Sequence, residues 1–122
     1  MDENGYVPSI IEPVSDCECY ICHKRCRTQR HEVFHGSVRR ERSKQYGLWV
    51  SLCPECHYKL HNSDGTLDTS LKEEAEIIAI IYYHFDKQGF IKLFSKNYLD
   101  EELINWLNTE RFTCHFGQTQ QL

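Results

Sequence analysis

The sequence predicts a small α+β domain: two short strands and a helix stapled by a cysteine knuckle, then a helical extension. Three features carry that expectation. Two C-x-x-C pairs, Cys19/Cys22 and Cys53/Cys56, are separated by 30 residues. Runs of strand composition follow the first pair and lead into the second. Beyond residue 66 the apolar pattern turns helical. With 122 residues the chain is one domain's worth of protein with a modest core.

Residues 1–16 read as a flexible lead-in, with Pro8 and Pro13 and little periodicity. Residues 17–66 form the stapled core. It opens with a cysteine-dense knuckle, Cys17 to Cys26, and Thr28 to Phe34 suits a short strand. Gly36 to Gly47 is polar and basic, too long for a tight hairpin turn, and expected to be part helical. LWVSL, Leu48 to Leu52, has strand composition. Pro54 suits the first turn of a helix, where its missing N–H costs nothing, with Cys53 just outside. That helix runs to about His61 and stops before the turn NSDG, Asn62 to Gly65.

Residues 67–108 are the helical extension, packed on the core. Ser70 and Glu73 match a capping box and predict an apolar helix of about 16 residues. Leu71, Ala75, Ile78, Tyr82 and Phe85 line one face, and Ile77, Ile80 and Ile81 widen it. Two shorter helices, Lys87 to Phe94 and Asp100 to about Asn108, pack on it, and residues 109–122 form a polar tail. Trp49, Trp106 and the isoleucine run read as core.

The most apolar stretch, IIAIIYY from Ile77 to Tyr83, is far short of the roughly 20 residues a bilayer needs. The beginning, MDENGYVPSIIEP, lacks the basic and apolar regions of a signal peptide. The expectation is therefore a cytoplasmic protein with no membrane partner. In a reducing compartment clustered cysteines more often bind metal than pair as disulfides. Each C-x-x-C can clamp one edge of a tetrahedral zinc, so Cys19, Cys22, Cys53 and Cys56 together complete a closed structural site. Cys17 and Cys26 could replace a ligand or bind separately. Cys114 stands alone and reads as a packed or exposed thiol.

The formal charge of −4 argues against a nucleic-acid partner, but its distribution does not. Lys24, Arg25, Arg27, Arg30, Arg39, Arg40, Arg42 and Lys44 face only Glu32 and Glu41 over that span, a local excess of six positive charges. A polyanionic backbone is drawn to such a segment even when the rest of the surface repels it.

His57 and His61 lie four apart on the expected helix, so they share a face. Cys56 points well away from them, and one ion could take all of these only if the helix broke. Two metals follow: the cysteines anchor structure, and the histidines face a more open site. The candidate third ligand is His31, followed at once by Glu32. Three histidines leave coordination positions open, the arrangement of a catalytic site.

RHEVFHG, then RSKQYGLWVSLCPECHYKLH, resembles the HNH endonuclease family, most closely its small phage and prophage members. In these a C-x-x-C knuckle precedes a pattern like His-His-Ile-Phe-Gly-Gly, followed by Tyr-Gly-Leu, a strand and Cys-x-x-Cys-His. The resemblance covers Cys19 to His61 and extends through LKEEAEIIAI and FIKLFSKNYL to Leu99. It implies a ββα-metal (HNH) core, with His31, His57 and His61 on one divalent ion and Cys19, Cys22, Cys53 and Cys56 on structural zinc. It departs at two places. Glu32 holds the general-base position, where the family usually has histidine, and the motif's middle asparagine is missing around Tyr46-Gly47-Leu48. Glu32 is the expected base, ahead of His31 or His35.

The implied activity is metal-dependent hydrolysis of DNA phosphodiester bonds, leaving 5′ phosphate and 3′ hydroxyl. The ion is magnesium, manganese, nickel or zinc, and imidazole ligation favours the transition metals. Arg39, Arg40, Arg42 and Lys44 are expected to grip DNA phosphates without reading sequence. Further partners would be phage packaging or recombination proteins. Two other readings stand beside it: a catalytically degenerate HNH-like zinc module that binds nucleic acid or a phage assembly partner, and a purely structural zinc domain whose C-terminal helices form the interaction surface.

Overall fold

A computed structural model of the chain describes residues 2–12 and 17–107. Cys114 and the tail 109–122 lie outside these residues, as does Asn108.

Two strands, β1 (Gln29–Glu32) and β2 (Trp49–Leu52), pair antiparallel with Gln29 opposite Leu52 and His31 opposite Val50. Between them runs helix α1 (Ser37–Gln45), where a partly helical connection was expected. Ser43, buried on α1, fastens this excursion to the sheet: its hydroxyl donates to the Phe34 carbonyl at 2.8 Å and accepts from the Phe34 amide at 3.1 Å. Helix α2 (Pro54–Asn62) follows β2 directly, with Pro54 in its first turn. The result is an α+β domain with a two-stranded sheet and, among the described residues, five helices.

The extension comprises α3 (Thr66–Tyr83), α4 (Lys87–Phe94) and a helical run at 101–107, α5. The α4 bounds match those expected from sequence, and Asp86 caps the helix by accepting from the Gly89 amide at 2.6 Å. The start of α3 does not match. Ser70 and Glu73 lie inside the helix, which begins earlier because Asp64 accepts from the Thr66 amide and Gly65 turns the chain at φ +89°. An Asp-Gly turn competes with the capping box and wins.

The core has two parts. Val33, Phe34, Leu48, Val50, Leu52, Leu60, Leu71, Ala75, Phe90 and Phe94 pack around the sheet. Phe34 sits 5.4 Å from Phe90 and 4.9 Å from Phe94 between ring centroids, which joins the end of β1 to α4. Ile80, Leu99, Ile104 and Leu107 make a smaller cluster further along. α3 therefore buries two faces, with Ile80 widening the apolar side as expected, but Tyr82, expected on the main stripe, and Ile81, expected to widen it, are exposed. Trp106 is exposed too, because Ile104 and Leu107 define the inner face of α5 and a residue two on from Ile104 points outward.

The lead-in is also a correction over its described part. Residues 2–12 are tied to the sheet region rather than loose: Val7 N–H donates to the Lys44 carbonyl, Ile10 N–H to Gly47, and the Trp49 indole to the Val7 carbonyl. The Glu12 carboxylate accepts from the Ser51 amide at 2.6 Å, and Tyr20 N–H donates to the Ser51 carbonyl. The outer edge of β2 is thereby satisfied, as buried backbone requires. No helix among the described residues is long and apolar enough to cross a membrane.

Candidate metal centre

The cysteine site is assembled from a turn and a helix start. Glu18 and Arg25 form an antiparallel bridge, and His23, at φ +63°, returns its N–H to the Cys19 carbonyl. This tight turn presents Cys19 and Cys22 together. Opposite them Cys53 caps α2: its sulfur accepts from the Cys56 amide at 3.4 Å. A helix N-terminus with free amides favours a thiolate there. The four sulfurs lie within 4.8 Å of one another, with Cys19, Cys53 and Cys56 buried. Burial opposes ionisation of Cys19, but the amides of Cys22, Cys53 and Ile21 bring its thiol down to about 6. Burial and the neighbouring sulfurs push Cys56 upward. Four converging sulfurs, one already inclined to be thiolate, are a donor set positioned to hold a metal ion and consistent with structural zinc.

The second cluster is separate. His31 lies on β1, one residue before its end, and His57 and His61 share a face of α2; one nitrogen from each lies within 4.8 Å of the others. Ring centroids are 5.4 Å apart from His31 to each of the other two, and 4.9 Å from His57 to His61. His31 is 3 % exposed, and its Nε2 finds no hydrogen-bond partner among the described residues. A buried polar atom without a partner is costly unless something else satisfies it. Burial, then the other imidazoles, depress His31 to about 3, and burial lowers His57. Both shifts favour the neutral ring with its lone pair at His31 and His57, which is the form a metal takes. Gln29 Oε1 lies 2.7 Å from His57 Nδ1. An amide oxygen accepts, so Nδ1 carries the proton and Nε2 keeps the lone pair. The residues present fit a cation.

Glu32, next along β1, meets different neighbours. The Tyr6 hydroxyl donates to Oε2 at 2.9 Å, and Arg40 Nε lies 3.4 Å from Oε1. The carboxylate remains near enough to His57 to favour that ring's charged form.

The four basic residues expected on phosphate do not stay together. Arg39 lies beside Gly36 at the start of α1, and Arg40 is exposed and paired with Glu32. Arg42 instead donates to the carbonyls of Lys92 and Leu93, at 3.0 and 2.6 Å, at the C-terminus of α4. Lys44 pairs with Glu41 and lies over the Tyr6 ring. Helix α4 ends in carbonyls that need donors, which is what draws Arg42 away.

Sequence reading missed Tyr6 and Gln29, and also Asp68, whose Oδ1 lies 3.4 Å from Nε2 of His35 at the border of the cluster. Gln29 was reachable, since it lies two residues before His31 and strand alternation puts both on one face. Tyr6 and Asp68 come from distant segments with no local signal. No family model, curated protein or solved structure matches this chain.

Proposed function

We propose that the protein is a metal-dependent nuclease of the HNH type that hydrolyses phosphodiester bonds in DNA, encoded by a phage or prophage. The observation that carries this reading is the convergence of His31, His57 and His61 away from the four cysteines, with the Nε2 of His31 buried and otherwise unpartnered. These three side chains hold one divalent ion; β1, β2 and α2 are then a ββα-metal core. The bound ion supplies Lewis-acid stabilisation of charge at the scissile phosphate and the leaving 3′ oxygen.

Glu32 is the base. Its carboxylate takes a proton from the attacking water, while Tyr6 and Arg40 hold it in place. Arg39 and Arg40, on α1, contact backbone phosphates, so binding is steeply salt dependent and weakly sequence specific.

Plasmid cleavage across magnesium, manganese, nickel and zinc tests the reading. Nicking is expected with at least one ion and is lost, by a factor of about 100 or more, in both His57→Ala and Glu32→Ala. Wild-type protein that cleaves with none of these ions refutes it.

The engagement of Glu32 by both Tyr6 and Arg40 favours one second reading, a module that binds DNA without cutting it. Salt-sensitive binding with no cleavage would select that alternative.

A further inference from the structure

Cys17 and Cys26 belong to no converging sulfur group among the described residues, yet the knuckle sets them against each other. Glu18 pairs with Arg25 across the antiparallel bridge. Cys19 N–H donates to the Lys24 carbonyl at 3.0 Å, and Cys26 N–H donates to the Cys17 carbonyl at 2.8 Å. One step outward from Glu18 and Arg25 therefore brings Cys17 opposite Cys26. Side chains of opposite residues lie on one face of an antiparallel pair. Where such a pair shares a backbone hydrogen bond, its Cα atoms are about 5.5 Å apart, and disulfides span about 4.4–6.8 Å.

Both thiols are free, Cys17 exposed and Cys26 partly so. Cys26 also packs against the core cluster that contains Cys19, Cys53 and Cys56, so it is held in place while Cys17 is reached from solvent. The bridge is isolated rather than part of a longer ladder, so its outer end can adjust to a disulfide without dragging the β1–β2 sheet. A bond between the two sulfurs closes a ring over residues 17–26. That ring contains Cys19 and Cys22, the knuckle's whole share of the four-sulfur set.

We infer that Cys17 and Cys26 are a site of reversible oxidation, whose disulfide locks the knuckle around the metal-binding pair Cys19 and Cys22. The oxidant is a low-molecular-weight disulfide such as glutathione disulfide. Its S–S bond breaks as the Cys17 sulfur bonds to one half, and the other half leaves as a thiol with the Cys17 proton. The Cys26 sulfur then displaces the second half, which leaves as a thiol with the Cys26 proton. The two cysteines give up two electrons, and the oxidant is reduced to two thiols. In a reducing compartment such a bond is transient, and its exposure keeps it open to reduction.

Full-length Cys114→Ser protein, dialysed so that zinc remains at the cysteines alone, is treated with glutathione disulfide. Remaining thiols are blocked and the peptides are mapped without reduction. Peptides joined through Cys17 and Cys26 are expected, with zinc retained and the bond reversed by dithiothreitol. The oxidised protein releases zinc to a strong chelator about fivefold more slowly, since the closed ring holds both knuckle ligands. Cys26→Ser keeps its zinc and stops at one glutathione on Cys17. Persistent mixed disulfides in place of the ring, or a bond from either cysteine to Cys19, Cys22, Cys53 or Cys56, overturn the inference. So does unchanged zinc release after oxidation, or zinc loss in Cys17→Ser, which would make Cys17 a ligand. The peptide map needs no substitution at either position, so it decides even where Cys26→Ser, which alters a core contact, does not fold. None of these readouts involves DNA or the histidines, so failure of the nuclease reading leaves them intact.

Discussion

Glu76 brings a carboxyl group into the buried side of α3, where it is completely enclosed. Its Oε1 accepts from the Tyr98 amide at 2.7 Å, while Oε2 finds no partner among the described residues. Burial raises its pKa from 4.5 to about 7, against the lowering effect of the Tyr98 amide. A carboxyl whose folded pKa lies above its unfolded value binds more protons in the native state. Stability therefore falls as pH rises from about 4.5 to 7 and stays low above that. The loss is on the order of 3 kcal/mol. Glu76→Gln keeps an acceptor for Tyr98 and abolishes the charge. Its melting temperature is expected to exceed that of wild type at pH 8 by several degrees, with the advantage shrinking toward pH 5. Thermal melts of both proteins across that range check this, and parallel profiles would contradict it.

The elements were legible where a local device sets them. Pro54 with Cys53 before it marks α2, and strand composition marks β2. Where two local devices compete, or where a distant segment supplies the partner, the sequence misleads. Ser70 and Glu73 lost to the Asp64-Gly65 turn, and residues 2–12 look unstructured because their partners, Lys44, Gly47 and Trp49, are far along the chain. The same distance problem hid Asp68 from His35, whereas His57 and His61 were readable because one helix face holds both. Gly47 shows how closely the N-terminal segment is fitted. It adopts φ +70°, and a Cβ there would lie 2.5 Å from the Pro8 carbonyl oxygen. Gly5 has a similar φ, +86°, with nothing within 4 Å of a Cβ. Alanine at either position meets the backbone penalty of about 1–2 kcal/mol. Only Gly47→Ala must also push Pro8 aside, so its loss should be larger by about 1 kcal/mol or more. Urea denaturation of the two variants separates the effects, and equal losses would mean that the segment yields without resistance.

At the scale of the molecule, the two clusters hold different amounts of the fold. The cysteine site joins the knuckle at residues 17–26 to the start of α2, and everything from His23 to Leu52 is looped between its two halves. Three of its four sulfurs are buried. Without a cation they must either take up protons or crowd negative charge in a dry place. An ion there contributes on the order of 10 kcal/mol, comparable with the whole stability of a domain, about 5–15 kcal/mol. The histidines differ. His31 is held by the β1–β2 ladder and His57 and His61 by α2, and burial inclines the His31 and His57 rings to stay neutral, so an empty cluster carries little repulsion. His57→Ala is therefore expected to fold, retain one tightly bound zinc and melt within a few degrees of wild type, whereas Cys56→Ser loses that zinc and the cooperative transition with it. Chelation followed in parallel by metal analysis and far-ultraviolet circular dichroism should show helix disappearing as the thiolate-bound ion leaves, with the histidine-bound ion departing earlier and silently. A protein that keeps a sharp melt with all metal removed would mean that the apolar packing of Phe34, Phe90 and Phe94 holds the domain together by itself.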